Sequence, residues 1–192
     1  NLSNKKAHYL TTGPEIWSQL SGKVDAFICS VGTGGTLAGT SEFLREKNKN
    51  VKIGLADPFG SAIHNFYKKG ILKSEGNSIT EGIGQGRITE NLKGFAPDFS
   101  YQINDKEALN IVFDLMENEG LCLGSSSGIN IAGAKRLADD LGPGKTIVTI
   151  LCDFGTRYQS KLFNYEFLRS KGLPTRKWMN TVESNLPTVF ED

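Results

Sequence analysis

The sequence predicts an α/β domain built on an open, mostly parallel twisted sheet with helices on both faces. Three observations predict it. Short apolar runs rich in β-branched or aromatic residues alternate along the chain with segments of helical period. Residues 24–56 read as strand, tight loop, helix and strand, a unit that closes right-handed and leaves its strands parallel. Glycine-rich stretches fall where strands hand over to helices, first at Gly32-Thr33-Gly34-Gly35. At 192 residues the chain suits one domain, since a domain takes roughly 100–200 residues. We place it over 1–170, with a tail over 171–192.

The elements follow in order. Thr12-Gly13-Pro14-Glu15 pairs a Thr cap with a Glu three residues on and a Pro in the first turn, so a helix starts there and ends near Gly22. Residues 24–30 are a buried strand, 36–47 a helix with Leu37 and Leu44 near one face, and 51–56 the next strand. A helix is expected over 61–69, then an irregular stretch over 70–86, long enough to suggest a functional segment. Residues 99–103 read as a strand and 105–118 as an amphipathic helix with Ala108, Ile111, Val112 and Leu115 on one side. A serine loop over 124–128 precedes a helix over 129–141. Residues 146–151 are a buried strand, and helical signals return over 158–170. The acidic end of the chain reads as solvated tail.

Composition narrows the function classes. With 22 Lys+Arg against 21 Asp+Glu, no phosphate-driven nucleic-acid binder is indicated, and a small, roughly neutral partner fits better. Cys29, Cys122 and Cys152 are odd in number and far apart, which argues against a disulfide framework or a zinc site and for a reducing compartment. The longest apolar runs fall well short of the ~18 residues of a membrane span. The sequence opens on Asn1 rather than methionine, which reads as an excised piece.

The chemistry concentrates in loops. Gly32, Thr33, Gly34, Gly35 and Thr36 lie between a strand and a helix, where backbone N–H groups, the helix N-terminus and two hydroxyls suit a phosphate. A glycine turn that only packs helix on strand is the plainer alternative. A dinucleotide reading draws on Asp57 at the end of the next strand, but the third glycine of that fingerprint falls on Leu37. Gly144-Lys145-Thr146 resembles the end of a P-loop, yet a strand follows it where a helix is required. Ser125, Ser126 and Ser127 open a second strand-to-helix loop, and ordinary N-capping accounts for them equally well. Cys152-Asp153 closes another strand, and ligands in open α/β sheets sit beyond such carboxyl ends. His8 and His64 lack a matched nucleophile or metal partner and read as structural or surface imidazoles.

Five motifs in order carry a family resemblance over nearly the whole chain. They are Thr11-Thr12-Gly13-Pro14-Glu15-Ile16-Trp17, Val31-Gly32-Thr33-Gly34-Gly35-Thr36, Glu81-Gly82-Ile83-Gly84-Gln85-Gly86, Gly124-Ser125-Ser126-Ser127-Gly128 and Asp153-Phe154-Gly155-Thr156-Arg157-Tyr158. The chain resembles the fold-type-II pyridoxal-phosphate enzymes, most closely the cysteine synthase (O-acetylserine sulfhydrylase) family. The resemblance implies the C-terminal part of the large domain and pyridoxal 5′-phosphate as cofactor. It implies that Gly32, Thr33, Gly34, Gly35 and Thr36 wrap the cofactor phosphate and that Ser126 hydrogen-bonds the pyridine nitrogen. Gly82, Ile83, Gly84, Gln85 and Gly86 would line the substrate entrance. The reaction implied for the full-length enzyme is β-replacement of the acetate of O-acetylserine by sulfide, giving L-cysteine. Cystathionine β-synthase, a Ser/Thr dehydratase relative and a non-catalytic ligand-binding fragment are the alternatives. The resemblance also implies small-molecule partners (an amino acid and a sulfur donor), a homodimer and a cytoplasmic or organellar location.

The chain departs from the family at three points. Cys152 stands where the family often has Pro, and Arg87 where many relatives are apolar. The family's cofactor-bearing lysine lies in an N-terminal Ser-x-Lys segment and its substrate-carboxylate loop in a Thr-Ser-Gly-Asn-Thr segment. Neither segment is expected in this chain, where both read as absent, so no catalytic residue is assigned, and the chain alone is expected to be inert.

Overall fold

The computed structural model describes residues 1–180. Four parallel strands form one open sheet in the order β3-β2-β1-β4. β1 is Ala26–Cys29, β2 Lys52–Pro58, β3 Phe99–Ile103 and β4 Ile147–Val148. The helices are α1 Leu2–Leu10, α2 Thr12–Gln19, α3 Gly35–Lys47, α4 Ile63–Lys69, α5 Asp105–Glu119, α6 Ser125–Leu141, α7 Gln159–Leu162 and α8 Tyr165–Ser170.

Strand alternation divides the core. Phe27, Cys29, Ile53 and Leu55 face one way and pack with Leu37 and Leu44 of α3 and Ile63 of α4. Ala26, Ile28, Ala56 and Ile103 face the other way, onto Ala108 of α5 and Ile129, Ala132 and Leu137 of α6. Residues two apart on a strand share a face, so strands this apolar need a helical layer on both sides. Close packing also sets residue size: a Cβ at Gly133 of α6 would lie 2.6 Å from the Cβ of Ala56.

Three expectations are corrected, and one helix falls where none was expected. α1 carries no strong pattern and was not foreseen; it buries none of its residues fully and is held against α3. The strand expected over 146–151 is only Ile147–Val148 and is half-buried rather than buried. β4 lies at the sheet edge, and beyond it the Thr149 hydroxyl, not a backbone amide, donates to the Ile28 carbonyl at 2.7 Å. Ser125, Ser126 and Ser127 form the first turn of α6 rather than a loop. The expected tail over 171–192 is packed at its start: Leu173, Trp178 and Met179 cover Leu109, Val112 and Phe113 of α5. Residues 181–192 of that tail lie outside the described residues.

Candidate functional site

The strand order creates a topological switch point. From β1 the chain builds outward to β2 and β3, then returns to lay β4 on the other side of β1. Segments leaving β1 and β4 therefore diverge at their carboxyl ends and open a crevice, the place where ligands bind in such sheets. A pocket of about 160 Å³ lies there, lined by Ser30, Gly32, Thr33, Gly34, Thr36, Ile83, Asn130, Ile150 and Cys152 among others.

One end of the pocket is the glycine loop. Gly34 is the N-cap of α3 with φ 83°, the left-handed region that glycine enters without a Cβ penalty, and being glycine it offers no capping side chain of its own. The first turn of α3 holds no acidic residue, so its N-terminal dipole is left to attract an anion. Glycine is also required by packing. A Cβ at Gly32 would come within 2.5 Å of the Gly82 carbonyl oxygen, and one at Gly35 would collide with the side chain of Asn4. A side chain at Gly34 would meet Leu92 at 2.7 Å, so its Cβ direction is toward the core rather than into the pocket.

Helix α1 supplies partners that sequence reasoning missed. The Thr33 hydroxyl donates to Asn4 Oδ1 at 2.7 Å and accepts the Gly35 N–H at 3.3 Å. His8 Nε2 is 3.0 Å from Thr36 Oγ1, and its Nδ1 is 2.9 Å from Thr12 Oγ1. Burial holds His8 below its ordinary pKa, which favours the neutral ring. The tautomer with Nε2–H donating to Thr36 leaves the Thr36 proton for a ligand and the other tautomer takes it up, whereas the proton of Thr33 is spent on Asn4. His8 thus sits at the predicted phosphate loop. The usable signal was the i, i+4 spacing of Asn4 and His8, which puts both on one helix face. His64 is structural, its Nδ1 2.8 Å from Ser100 Oγ.

The predicted entrance loop is brought to the glycine loop. Gly84 N–H donates to the Val31 carbonyl at 3.0 Å, and the Gln85 carbonyl accepts from Ala62 N–H at 2.8 Å and Ser61 Oγ at 3.0 Å. The Thr33 carbonyl in turn accepts from Thr89 Oγ1 at 2.7 Å and Asn91 Nδ2 at 3.0 Å. Gly32, Thr33, Gln85, Arg87 and Thr89 line a second cavity of about 320 Å³ beside the first. Asp57, weighed above as a ribose ligand, instead accepts the His64 N–H at 2.8 Å near the start of α4. Its other oxygen is buried without a partner, and burial pushes the carboxyl up to about 6.

The other end of the pocket is built on α6. Ser125, Ser126 and Ser127 are all buried, and no side-chain bond caps the helix at Gly124, so the capping alternative fails. Ser127 Oγ accepts the Cys152 N–H at 2.9 Å. Asn130, fully buried, accepts the Ser30 N–H at 2.7 Å and donates to the Ile150 carbonyl at 2.8 Å. One amide thereby ties together the segments leaving β1 and β4. Two Ser-x-Lys spacings do occur, at Ser3-Asn4-Lys5 and Ser21-Gly22-Lys23, which corrects the reading that none is present. Neither lysine lines the pocket; Lys5 pairs with Glu42 at 2.7 Å.

A helix N-terminus reached through a glycine loop, at the switch point of a parallel sheet, is an arrangement suited to a phosphate group. The chain belongs to the pyridoxal-phosphate dependent enzyme family, whose model matches residues 1–153. It is 49% identical over 178 residues to cysteine synthase 1 of Neurospora crassa, covering 90% of this chain and 47% of that protein. It is 48% identical over 178 residues to cysteine synthase 1 of Emericella nidulans, covering 90% and 48%. Among solved structures it resembles the O-acetylserine dependent cystathionine beta-synthase of Helicobacter pylori, with a TM-score of 0.76 and 32% identity over 84% of this chain and 50% of that one. The chain spans about half the length of the curated relatives it matches.

Proposed function

We propose that this chain forms the cofactor-binding part of a cysteine synthase, an enzyme that replaces the acetate of O-acetylserine by sulfide to give L-cysteine. The observation that carries this reading is the pocket at the switch point, with the glycine-led N-terminus of α3 at one end and a polar wall on α6 at the other. Bound there, pyridoxal 5′-phosphate supplies the electron sink for loss of the β-leaving group.

The chain's own residues bind, orient and shield. The loop from Gly32 to Thr36 offers backbone N–H groups and the helix dipole to the phosphate, with the Thr36 hydroxyl as a further donor. Asn4 and His8 hold the two threonines in place. Ser126, by the family resemblance, lies at the pyridine end. Gly82, Ile83, Gly84, Gln85 and Gly86 form the entrance, with Ile83 on the pocket wall excluding water. The whole enzyme works on small molecules as a homodimer, in the cytoplasm or an organelle; no helix among the described residues is long and apolar enough to cross a membrane. A second reading, in which a thiol amino acid replaces sulfide, is favoured by the 320 Å³ cavity and by Arg87, which has no hydrogen-bond or ion-pair partner among the described residues.

The test has two arms. The full-length protein should form cysteine from O-acetylserine and sulfide, faster than it forms cystathionine from a thiol amino acid; the reverse order would establish the second reading. The 192-residue chain, treated with pyridoxal phosphate and borohydride, should show no stoichiometric label at any one lysine. A single fully labelled lysine together with turnover by this chain would overturn the assignment of no catalytic residue to it.

A further inference from the structure

Asn130, which ties the ends of β1 and β4 together, and Cys152 both line the pocket, whereas Ser126 does not. Ser126 is buried in the first turn of α6, 5% exposed. Asn130 Nδ2, besides its bond to Ile150, lies 3.3 Å from Cys152 Sγ. The Cys152 backbone is fixed independently by Ser127 at 2.9 Å. Main chain and side chain of this cysteine are therefore both held, and its sulfur faces the space that a ligand would occupy.

We propose that Cys152 is a further cofactor-contacting residue and that Asn130 is its positioning residue, holding the thiol in the pocket wall at the end built on α6. The inference rests on the cofactor reading given above. Asn130 is locked by its bonds to Ser30 and Ile150, so it presents its second amide proton to the sulfur in one orientation. The sulfur accepts that proton, while its own S–H is directed to the Ile150 carbonyl at 3.8 Å. Desolvation pushes the Cys152 thiol above its ordinary pKa, while the Ser126 and Asn130 donors pull it back; Asp153 beside it also raises it, and Cys29 from β1 is the other titratable group facing it. A protonated thiol at neutral pH suits a neutral pyridine nitrogen better than a carboxylate would.

The test uses the full-length protein with and without pyridoxal phosphate. Alkylation by iodoacetamide is followed at the Cys152 peptide by mass spectrometry, with Cys122 as the internal reference. Bound cofactor should slow alkylation of Cys152 at least tenfold and leave Cys122 unchanged. Asn130→Asp keeps the acceptor for Ser30 but removes the donor and adds a negative charge beside the sulfur. Without cofactor it should move the pH midpoint of Cys152 alkylation upward, slowing the reaction at pH 8 roughly threefold to tenfold. A merely structural role for Asn130 leaves that midpoint in place.

Cys152→Ala leaves the clamp between Ser30 and Ile150 intact, so it serves even if Asn130→Asp does not fold. It should shift the absorption spectrum of the bound cofactor and weaken cofactor binding about twofold to tenfold, the worth of one neutral hydrogen bond. Equal alkylation of Cys152 with and without bound cofactor, or a Cys152→Ala spectrum and affinity identical to wild type, would overturn the inference and leave the cofactor reading standing. Absence of any bound pyridoxal phosphate in the wild-type protein would overturn both.

Discussion

If the glycine loop and the entrance loop form one packed unit, a single methyl group between them should separate them. Gly32→Ala places it there. Its Cβ would lie 2.5 Å from the Gly82 carbonyl oxygen, where ordinary contact begins near 3.4 Å, so the loop over 82–86 must retreat by about an ångström. The obstructing atom is backbone and cannot rotate away. Overpacking of this kind costs about 1–3 kcal/mol. The retreat also strains the 3.0 Å bond from Gly84 N–H to the Val31 carbonyl, worth about 0.5–1.5 kcal/mol. Together they amount to about 2–4 kcal/mol, and at ~2–4 °C per kcal/mol for a chain of this size the melting temperature should fall by about 5–15 °C. Gly86→Ala is the control, because nothing lies within 4 Å of its Cβ. Thermal unfolding followed by circular dichroism should separate the two variants clearly, and pyridoxal phosphate should bind Gly32→Ala more weakly. If Gly32→Ala melts with Gly86→Ala and binds the cofactor as wild type does, the contact between the loops is not what shapes the pocket.

Asp57 makes stability depend on pH. Its folded carboxyl titrates at about 6, above its ordinary 3.8, so the folded form holds its proton more tightly and stability is full below 3.8 and lost as pH rises through 6. The loss is about 3 kcal/mol at most. Asp57→Asn, which keeps an acceptor for the His64 N–H, should flatten the melting temperature between pH 4 and pH 7; a profile that parallels wild type would show that Asp57 is not the titrating group. Trp178→Ala should destabilise by about 2–3 kcal/mol, less than a fully buried Trp, because its ring packs edge-on to Phe113 at 6.2 Å and its Nε1 donates to Glu117 at 2.7 Å. Chemical denaturation that finds no loss would return residues 171–180 to the status of tail.

The parts of the fold that were legible are those where local pattern and tertiary environment agree. β3 falls at 99–103 as read, and the helix read over 105–118 is α5 at 105–119, because a clean apolar stripe, an Asn104 cap and a Gly120 stop all act locally. The polar helix α1 was illegible, since its stability comes from contacts with α3 rather than from its own period. β4 read as a long buried strand because the chain at 146–151 is apolar; that such a run lies at an edge depends on the strand order, which no local pattern encodes. The glycine loop was legible as a strand-to-helix turn, but its partners Asn4 and His8 were not, because they come from another helix. Asn130 carried a faint signal, a polar residue among Ile129, Ile131 and Ala132 on a core-facing helix. Its meaning emerges only when the ends of β1 and β4 are seen side by side.

The central claim is that the loop from Gly32 to Thr36 holds the cofactor phosphate at the switch point between β1 and β4. A crystal structure of the full-length protein with pyridoxal 5′-phosphate tests it directly. The account predicts the phosphate oxygens within hydrogen-bond distance of backbone N–H groups at Gly34, Gly35 and Thr36, with the ring running toward Cys152 and Asn130. A phosphate bound elsewhere, or a ring turned away from α6, would contradict it.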